Sequence, residues 1–316
     1  MGDYGCRVPT PLTTTLAGID LRNPVILAAG TCGTLDELTG VLDLSRIGGL
    51  VTKSITRQPR EGNQTWRIIE SRHGGMLNAI GLANPGIDAF EEHYLPRAAA
   101  MPCTVIGSVA GYSVEDYTSV AASFDESSVA AIELNVSCPN VKSGCDFGSS
   151  PIALREVVSE VRKVVSRAKL IVKLSPWPMG LPDLARAAID SGADALTISN
   201  TMPAMAIDVT TRRPRLANIT GGLSGPAIHP VSLKLVHDVY RQVAKSANVP
   251  IIGAGGILRW EDAAEFILAG ATAIQMGTAL FVDPRSPLNV VKGLEKWVRS
   301  QGCASITELV GAVELG

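Results

Sequence analysis

Eight short apolar runs, each ending in a polar residue or glycine and followed by a stretch of helical periodicity, constrain this chain more than any other feature. The runs cover 24–29, 49–53, 104–109, 130–136, 171–174, 195–199, 250–253 and 273–276. They are nearly continuous rather than alternating, the pattern of strands covered on both faces of a parallel sheet. Helical periodicity is read at 35–44, 84–100, 114–125, 151–167, 182–191, 229–247, 260–269 and 287–302, with a short last helix at 305–310. Strand and helix in strict alternation predict an α/β fold of the (β/α)8 TIM-barrel type. A doubly wound sheet would need a GxGxxG turn after an early strand, and Gly30-Thr31-Cys32-Gly33 does not supply one. Residues 12–22 read as an N-terminal hairpin able to cap the barrel floor. Two long connections, 56–82 and 202–226, exceed ordinary loop length and are expected as insertions at the C-terminal face. The whole chain, 1–316, is expected to be one domain.

Composition removes several classes of function. The net charge is -2 and the 28 basic residues are dispersed, so no basic patch points to nucleic acid. Aromatic residues make up 4%, too few for a base-stacking surface. No run of 18 apolar residues offers a membrane span, and no signal segment opens the chain, so a cytoplasmic protein is expected. The cysteines, Cys6, Cys32, Cys103, Cys138, Cys145 and Cys303, form no CxxC pair and no disulfide framework. No metal or iron-sulfur site is expected in this chain.

In a barrel all strand C-termini face one end, so residues distant in sequence converge there. Those ends supply Gly30, Lys53, Ser54, Asn135, Cys138, Lys173, Asn200, Thr201, Gly255, Gly256, Gly277 and Thr278. The late glycines, with Gly225 closing the second insertion, offer bare backbone donors, as phosphate sites do. A phosphate beside the seventh and eighth strands is the common barrel arrangement. Any one of these glycines could equally be a plain turn. Lys53 and Lys173 call for an anionic partner, because lysine is rarely buried unpaired. A phosphate, a reduced flavin or an anionic substrate would supply it. No Ser-His-Asp set and no paired carboxylates stand at the strand ends. Cys138 follows the fourth strand between Asn135 and Asn140, on a bend set by Pro139. It reads either as an inert buried thiol or as a proton acceptor.

Several stretches together resemble one family. They are Thr52-Lys53-Ser54, Pro59-Arg60-Glu61-Gly62-Asn63, Asn78-Ala79-Ile80-Gly81-Leu82 with Asn84-Pro85-Gly86, and Asn135-Val136-Ser137-Cys138-Pro139-Asn140-Val141-Lys142. Ser199-Asn200-Thr201, Gly222-Leu223-Ser224-Gly225-Pro226, Gly255-Gly256-Ile257 and Gly277-Thr278-Ala279 complete the set. The chain resembles the class 1 dihydroorotate dehydrogenases, and within them the catalytic subunits of the NAD-linked type, class 1B. The resemblance implies FMN in this chain and oxidation of (S)-dihydroorotate to orotate in pyrimidine biosynthesis. It also implies a partner subunit with FAD and a [2Fe-2S] cluster that passes electrons to NAD, and a homodimer within a heterotetramer.

By the same resemblance, Cys138 is the catalytic base. Lys53, Asn78, Ala79, Ile80, Gly81, Leu82, Asn135, Asn200 and Thr201 bind substrate. Ala29, Gly30, Lys53, Ser54, Asn135, Lys173, Ser199, Gly225, Gly255, Gly256, Gly277 and Thr278 hold FMN. Cysteine at 138 and the lack of a membrane-associating extension match class 1 rather than the quinone-linked class 2. Two alternatives remain within enzymes: a dihydropyrimidine dehydrogenase-like subunit and the fumarate-linked class 1A. A catalytically silent flavin-binding protein is the alternative outside them. The chain departs from the family pattern at Ser143-Gly144-Cys145-Asp146-Phe147, where a Gly-Gly pair is usual, and at Pro203-Ala204. The first bears on closure of the loop carrying Cys138, the second on the floor of the substrate pocket.

Overall fold

The computed structural model describes residues 10–136, 147–176 and 180–316. The chain opens with a hairpin of β1 (Thr14–Leu16) and β2 (Ile19–Leu21), then enters the barrel with β3 (Val25–Leu27) and β4 (Gly49–Val51). The first insertion carries β5 (Ile68–Glu70) and β6 (Met76–Asn78). Barrel strands β7 (Thr104–Val109), β8 (Ala131–Asn135), β9 (Lys169–Lys173) and β10 (Ala195–Ile198) follow. The second insertion holds β11 (Met202–Met205), β12 (Ile207–Asp208), β13 (Arg213–Pro214) and β14 (Thr220–Ser224). Strands β15 (Ile251–Ala254) and β16 (Ala271–Met276) close the cylinder, β16 pairing in parallel with β3. The eight barrel strands neighbour one another in sequence order, as a (β/α)8 barrel requires.

The floor explains the hairpin. One interior side chain from each barrel strand (Ile26, Val51, Ile106, Ala131, Ile171, Ala195, Ile252 and Ala273) forms a buried apolar layer with Leu16 and Leu21. Leu16 has no exposed surface and Leu21 almost none, so the hairpin plugs the end of the cylinder opposite the mouth. A second apolar shell, between strands and helices, is far larger and includes Phe90, Phe124, Val158, Leu184, Phe266 and Leu294.

Helices form as expected at Val114–Glu126, Pro151–Val164, Leu181–Asp190, Trp260–Ala269 and Ser286–Ser300. Ser113 and Ser150 cap the first two by accepting from Asp116 N and Ala153 N. The expected helix at 35–44 does not form. Successive turns stand there, followed by one 3-10 turn, Leu44–Arg46. The Glu37 carboxylate accepts from the backbone N–H groups of Thr34 and Leu35, and Gly40 interrupts the short segment. Leu35, Leu42 and Leu44 are nonetheless buried. The helix-like interval of seven between Leu35 and Leu42 is used by turns. The expected helix at 84–100 is broken into Ile87–His93 and Leu95–Ala98. Pro96 has no N–H to continue the first helix through the second. The expected helix at 229–247 runs as His229–Val239, a π segment Tyr240–Ala244 and a last turn Lys245–Ala247.

The two insertions are not loose loops. Strand β14 pairs with β6 through Gly222↔Asn78, Leu223↔Leu77 and Ser224↔Met76, and with β11 on its other side. The result is one antiparallel sheet in the order β11-β14-β6-β5, with Leu77, Ala79 and Leu216 as its own small core. Pro203 lies exposed on the edge strand β11, where a missing N–H breaks no ladder. Neither it nor Ala204 lines the cavity at the barrel mouth, whereas the sequence led to an expectation that this stretch shapes a pocket floor.

Candidate active site

Side chains two residues apart along a strand point to the same face. Two positions beyond the apolar floor the barrel interior therefore changes character. Ser108, Glu133, Lys173, Thr197 and Gln275 stand there, all buried and all polar. Two positions further, Asn135, Ser199 and Gly277 reach the mouth. A cavity of about 250 Å³ opens at that level, bounded by the strand ends and by the sheet of the insertions.

Every expected site residue among the described residues lines this cavity. From β3 and β4 come Ala29, Gly30, Lys53 and Ser54, and from β8 and β9 come Asn135 and Lys173. The end of β10 gives Ser199, Asn200 and Thr201, and the first insertion gives Asn78, Ala79, Ile80, Gly81 and Leu82. Gly225, Gly255, Gly256, Gly277 and Thr278 line the side below β14, β15 and β16. Cys138, the expected base, lies outside the described residues, as do Ser143 to Asp146 of the departing segment.

The amide pocket is held by a relay of hydrogen bonds. Ser108 and Ser54 hydroxyls are 2.9 Å apart, and Asn135 Nδ2 donates to Ser54 Oγ at 3.3 Å. Asn200 Nδ2 donates to Asn135 Oδ1 at 3.3 Å, while the Thr201 N–H donates to Asn200 Oδ1 at 2.8 Å. Tyr117 Oη donates to the Asn135 carbonyl at 2.8 Å, so the end of β8 is fixed by backbone as well as side chain. From the insertion, Asn63 Nδ2 donates to the Ala79 carbonyl and steadies the run from Asn78 to Leu82.

Lys53 and Lys173 differ in their surroundings. No described residue forms an ion pair or side-chain hydrogen bond with the Lys53 ammonium. Burial, then repulsion from Arg67, holds its pKa below the ordinary lysine value. Lys173 already has protein partners: its Nζ donates to Gln275 Oε1 at 2.9 Å and lies 3.7 Å from Glu133 Oε1. The expectation that both lysines depend on a ligand for their counter-charge is therefore corrected for Lys173. Sequence reasoning does not single out Glu133 and Gln275. The available signal is a carboxylate inside an otherwise apolar strand, which demands a buried partner. Cys32, close to Lys53 in the core, has its thiol pushed up to about 12 by burial and is unsuited to base chemistry.

On the opposite wall the backbone makes a cradle. A Cβ on Gly256 would stand 2.8 Å from the Gly225 carbonyl and 2.8 Å from His229 Cβ, and Gly256 has φ +70°. A Cβ on Gly225 would stand 2.7 Å from Gly75 Cα. Glycine is required at both positions. A Cβ on Gly277 would meet Ala28 Cβ at 3.5 Å and Thr31 Cγ2 at 3.6 Å, ordinary contact distances, so space alone does not require glycine there. The N–H groups of Gly256, Gly277 and Thr278 have no acceptor among the described residues. N–H groups without an acceptor among the described residues, on glycine-rich backbone bordering one cavity, fit a phosphate.

A closed barrel whose mouth joins a phosphate-type glycine cradle to a pocket of amides and an ammonium with no ion-pair partner among the described residues is the layout of a cofactor-using α/β-barrel enzyme. Comparison with known proteins narrows this. The family model for dihydroorotate dehydrogenase matches residues 11–298. A protein of Geotalea uraniireducens, named dihydroorotate dehydrogenase B (NAD(+)), catalytic subunit, is 49% identical over 96% of this chain and 98% of its own length. Proteins of the same name from Pelobacter propionicus and Bacteroides thetaiotaomicron are 47% and 44% identical, each over 96% of this chain and 98% and 99% of their own lengths. The chain belongs to the dihydroorotate dehydrogenase family, among the NAD-linked catalytic subunits of class 1B. Family membership implies FMN as the cofactor.

Proposed function

We propose that this chain oxidises (S)-dihydroorotate to orotate in pyrimidine biosynthesis, with electrons leaving through a partner subunit to NAD. The observation that carries the reading is one cavity in which the glycine cradle and the amide-and-lysine pocket face each other. The cradle of Gly225, Gly255, Gly256, Gly277 and Thr278 would hold the FMN phosphate and ribityl chain, with Lys173 beside the ring. FMN, when bound, supplies the acceptor for the hydride leaving C6 of the substrate.

The remaining work falls to side chains of this chain. Lys53, with no anionic partner of its own, binds the substrate carboxylate, and Asn78, Asn135 and Asn200 bind the carboxylate and ring amide edges. Carboxamides donate and accept at once, which suits an imide edge. Cys138 takes the proton from C5. An ordinary cysteine is mostly protonated at neutral pH, so the rate should rise toward alkaline pH unless the site lowers the thiol's value. The hydrogen-bonded row of Ser108, Ser54, Asn135 and Asn200 holds the amides in place before substrate arrives, which lowers the entropic cost of orientation.

The FAD and [2Fe-2S] cluster we propose rest on the resemblance to class 1B, and the relatives' names, which call them catalytic subunits, support a partner subunit to carry them. With it we place the chain as a homodimer within a cytoplasmic heterotetramer. No described helix is long and apolar enough to cross a membrane.

Stopped-flow reduction of the FMN-loaded chain by dihydroorotate tests the reading. Bleaching of the flavin by dihydroorotate but not by dihydrouracil is expected; absence of bleaching would refute it. Cys138→Ala should retain FMN yet slow the reduction by roughly 10²-fold or more. A near-native rate would remove Cys138 from the role of base.

A further inference from the structure

Glu133 is wholly buried in the middle of β8 and does not itself border the cavity. Its Oε2 accepts from Thr197 Oγ1 at 2.8 Å and from Gln275 Nε2 at 2.6 Å. Its Oε1 has no hydrogen-bond partner among the described residues and stands 3.7 Å from Lys173 Nζ. Gln275 completes the circuit, since its Oε1 accepts from Lys173 Nζ at 2.9 Å. A buried carboxylate is costly, and an apolar residue of like size is often neutral or stabilising in its place. The hydrogen bonds alone do not explain a full negative charge here. Lys173 and Gln275, unlike Glu133, do border the cavity. Whatever Glu133 does to a bound molecule, it does through them.

We propose that Glu133 is a charge-balancing and positioning residue that, from behind Lys173, holds down the reduction potential of FMN bound in the cavity. The proposal rests on the reading of the cavity as an FMN site. A hydride brings two electrons and one proton, so it adds one unit of negative charge to the flavin; the second proton of the substrate goes to Cys138. A lone ammonium at the cavity wall would stabilise that added charge and hold the electrons back from NAD, a weak oxidant. A carboxylate beside the ammonium makes the buried pair neutral as a unit. The reduced state then gains less, and the electrons are passed on more readily. Thr197 and Gln275 keep the carboxylate on the ammonium's inner side and leave its outer side toward the cavity.

The test is the midpoint potential of FMN in the loaded chain, read by equilibration with a reference dye. Four forms are compared: wild type, Glu133→Gln, Lys173→Met and the double variant. Counting buried charge, these carry a neutral pair, a net positive, a net negative and again a neutral pair. Glu133→Gln should favour the reduced flavin by at least about tenfold over wild type, which is about 30 mV upward for a two-electron couple. Lys173→Met should lie below the double variant by a similar factor, and the double variant should lie nearest wild type.

If Glu133→Gln does not fold or load FMN, the two forms that carry Lys173→Met decide alone. The double variant exchanges an ion pair for a neutral pair, which proteins usually tolerate. Equal potentials in those two forms, or a Glu133→Gln potential at or below wild type, would overturn the proposal. So would a loss of thermal stability in Glu133→Gln with no change in potential, the result of a purely structural role. A wild-type chain that binds no FMN would refute the functional reading and this proposal with it. Loaded chains with unmoved potentials would refute only this proposal.

Discussion

Replacing Lys53 by methionine should move stability and binding in opposite directions. In the ligand-free protein the ammonium is largely buried, has no counter-ion among the described residues, and is disfavoured by burial and by Arg67. A buried polar group left without a partner costs about 1–3 kcal/mol. Methionine keeps most of the apolar stem in place and removes the charge. The ligand-free variant should therefore be more stable by about 1 kcal/mol, the lower end of that range, because Lys53 keeps some contact with solvent. The same ammonium is the proposed anchor for a carboxylate, and a hydrogen bond to a charged group contributes about 1.5–3 kcal/mol. Orotate should then bind roughly ten- to a hundredfold more weakly. Thermal melts with and without orotate, together with titration calorimetry, read both effects. Wild type should gain far more melting temperature from orotate than the variant. A ligand-free variant less stable than wild type, or one that binds orotate as tightly, would refute the assignment of Lys53 as an unpaired cation kept for an anion.

The lowered pKa of Lys53 also fixes a pH dependence. The folded value lies below the unfolded one, so the ligand-free protein should gain stability as pH rises between the two, while orotate affinity, which needs the ammonium, falls in that same window. Binding titrations on the alkaline side check this, and affinity that holds up to the ordinary lysine value would contradict it. Gly256→Ala forces a Cβ to within 2.8 Å of the Gly225 carbonyl at a φ of +70°, and should reduce FMN affinity at least about tenfold by flavin fluorescence titration. Leu16→Ala removes the plug from the barrel floor and should cost about 3 kcal/mol in denaturant unfolding while leaving flavin reduction by dihydroorotate near normal.

The barrel is readable because its strands are covered on both sides and so are written as unbroken apolar runs. Val25 to Leu27 and Leu170 to Val172 leave little room for another reading. The strand ends are readable for a related reason: a lysine or asparagine closing such a run must face the mouth. What is not readable depends on distant partners. Met76–Asn78 is too short to announce itself as a strand, and its mate in β14 lies more than 140 residues along the chain. Leu35, Leu42 and Leu44 show the opposite failure. The seven-residue interval from Leu35 to Leu42 is that of a helix face, but it serves a set of turns stapled by Glu37. Glu133 escapes notice because one charged residue in an apolar run resembles noise until Lys173, Thr197 and Gln275 are seen around it.

The seam between β6 and β14 has an implication for how this mouth could be rebuilt. Each segment supplies the backbone acceptors and donors the other needs, so neither can be exchanged for a foreign counterpart without stranding its mate as an open edge. Grafting a new rim onto this cylinder, by selection or by hand, would have to be done in pairs. Tolerance to substitution should accordingly be lowest where the two pieces cross, at Gly222 and Asn78, and greatest at the outlying β12 and β13 ribbon, which pairs with neither strand of that seam.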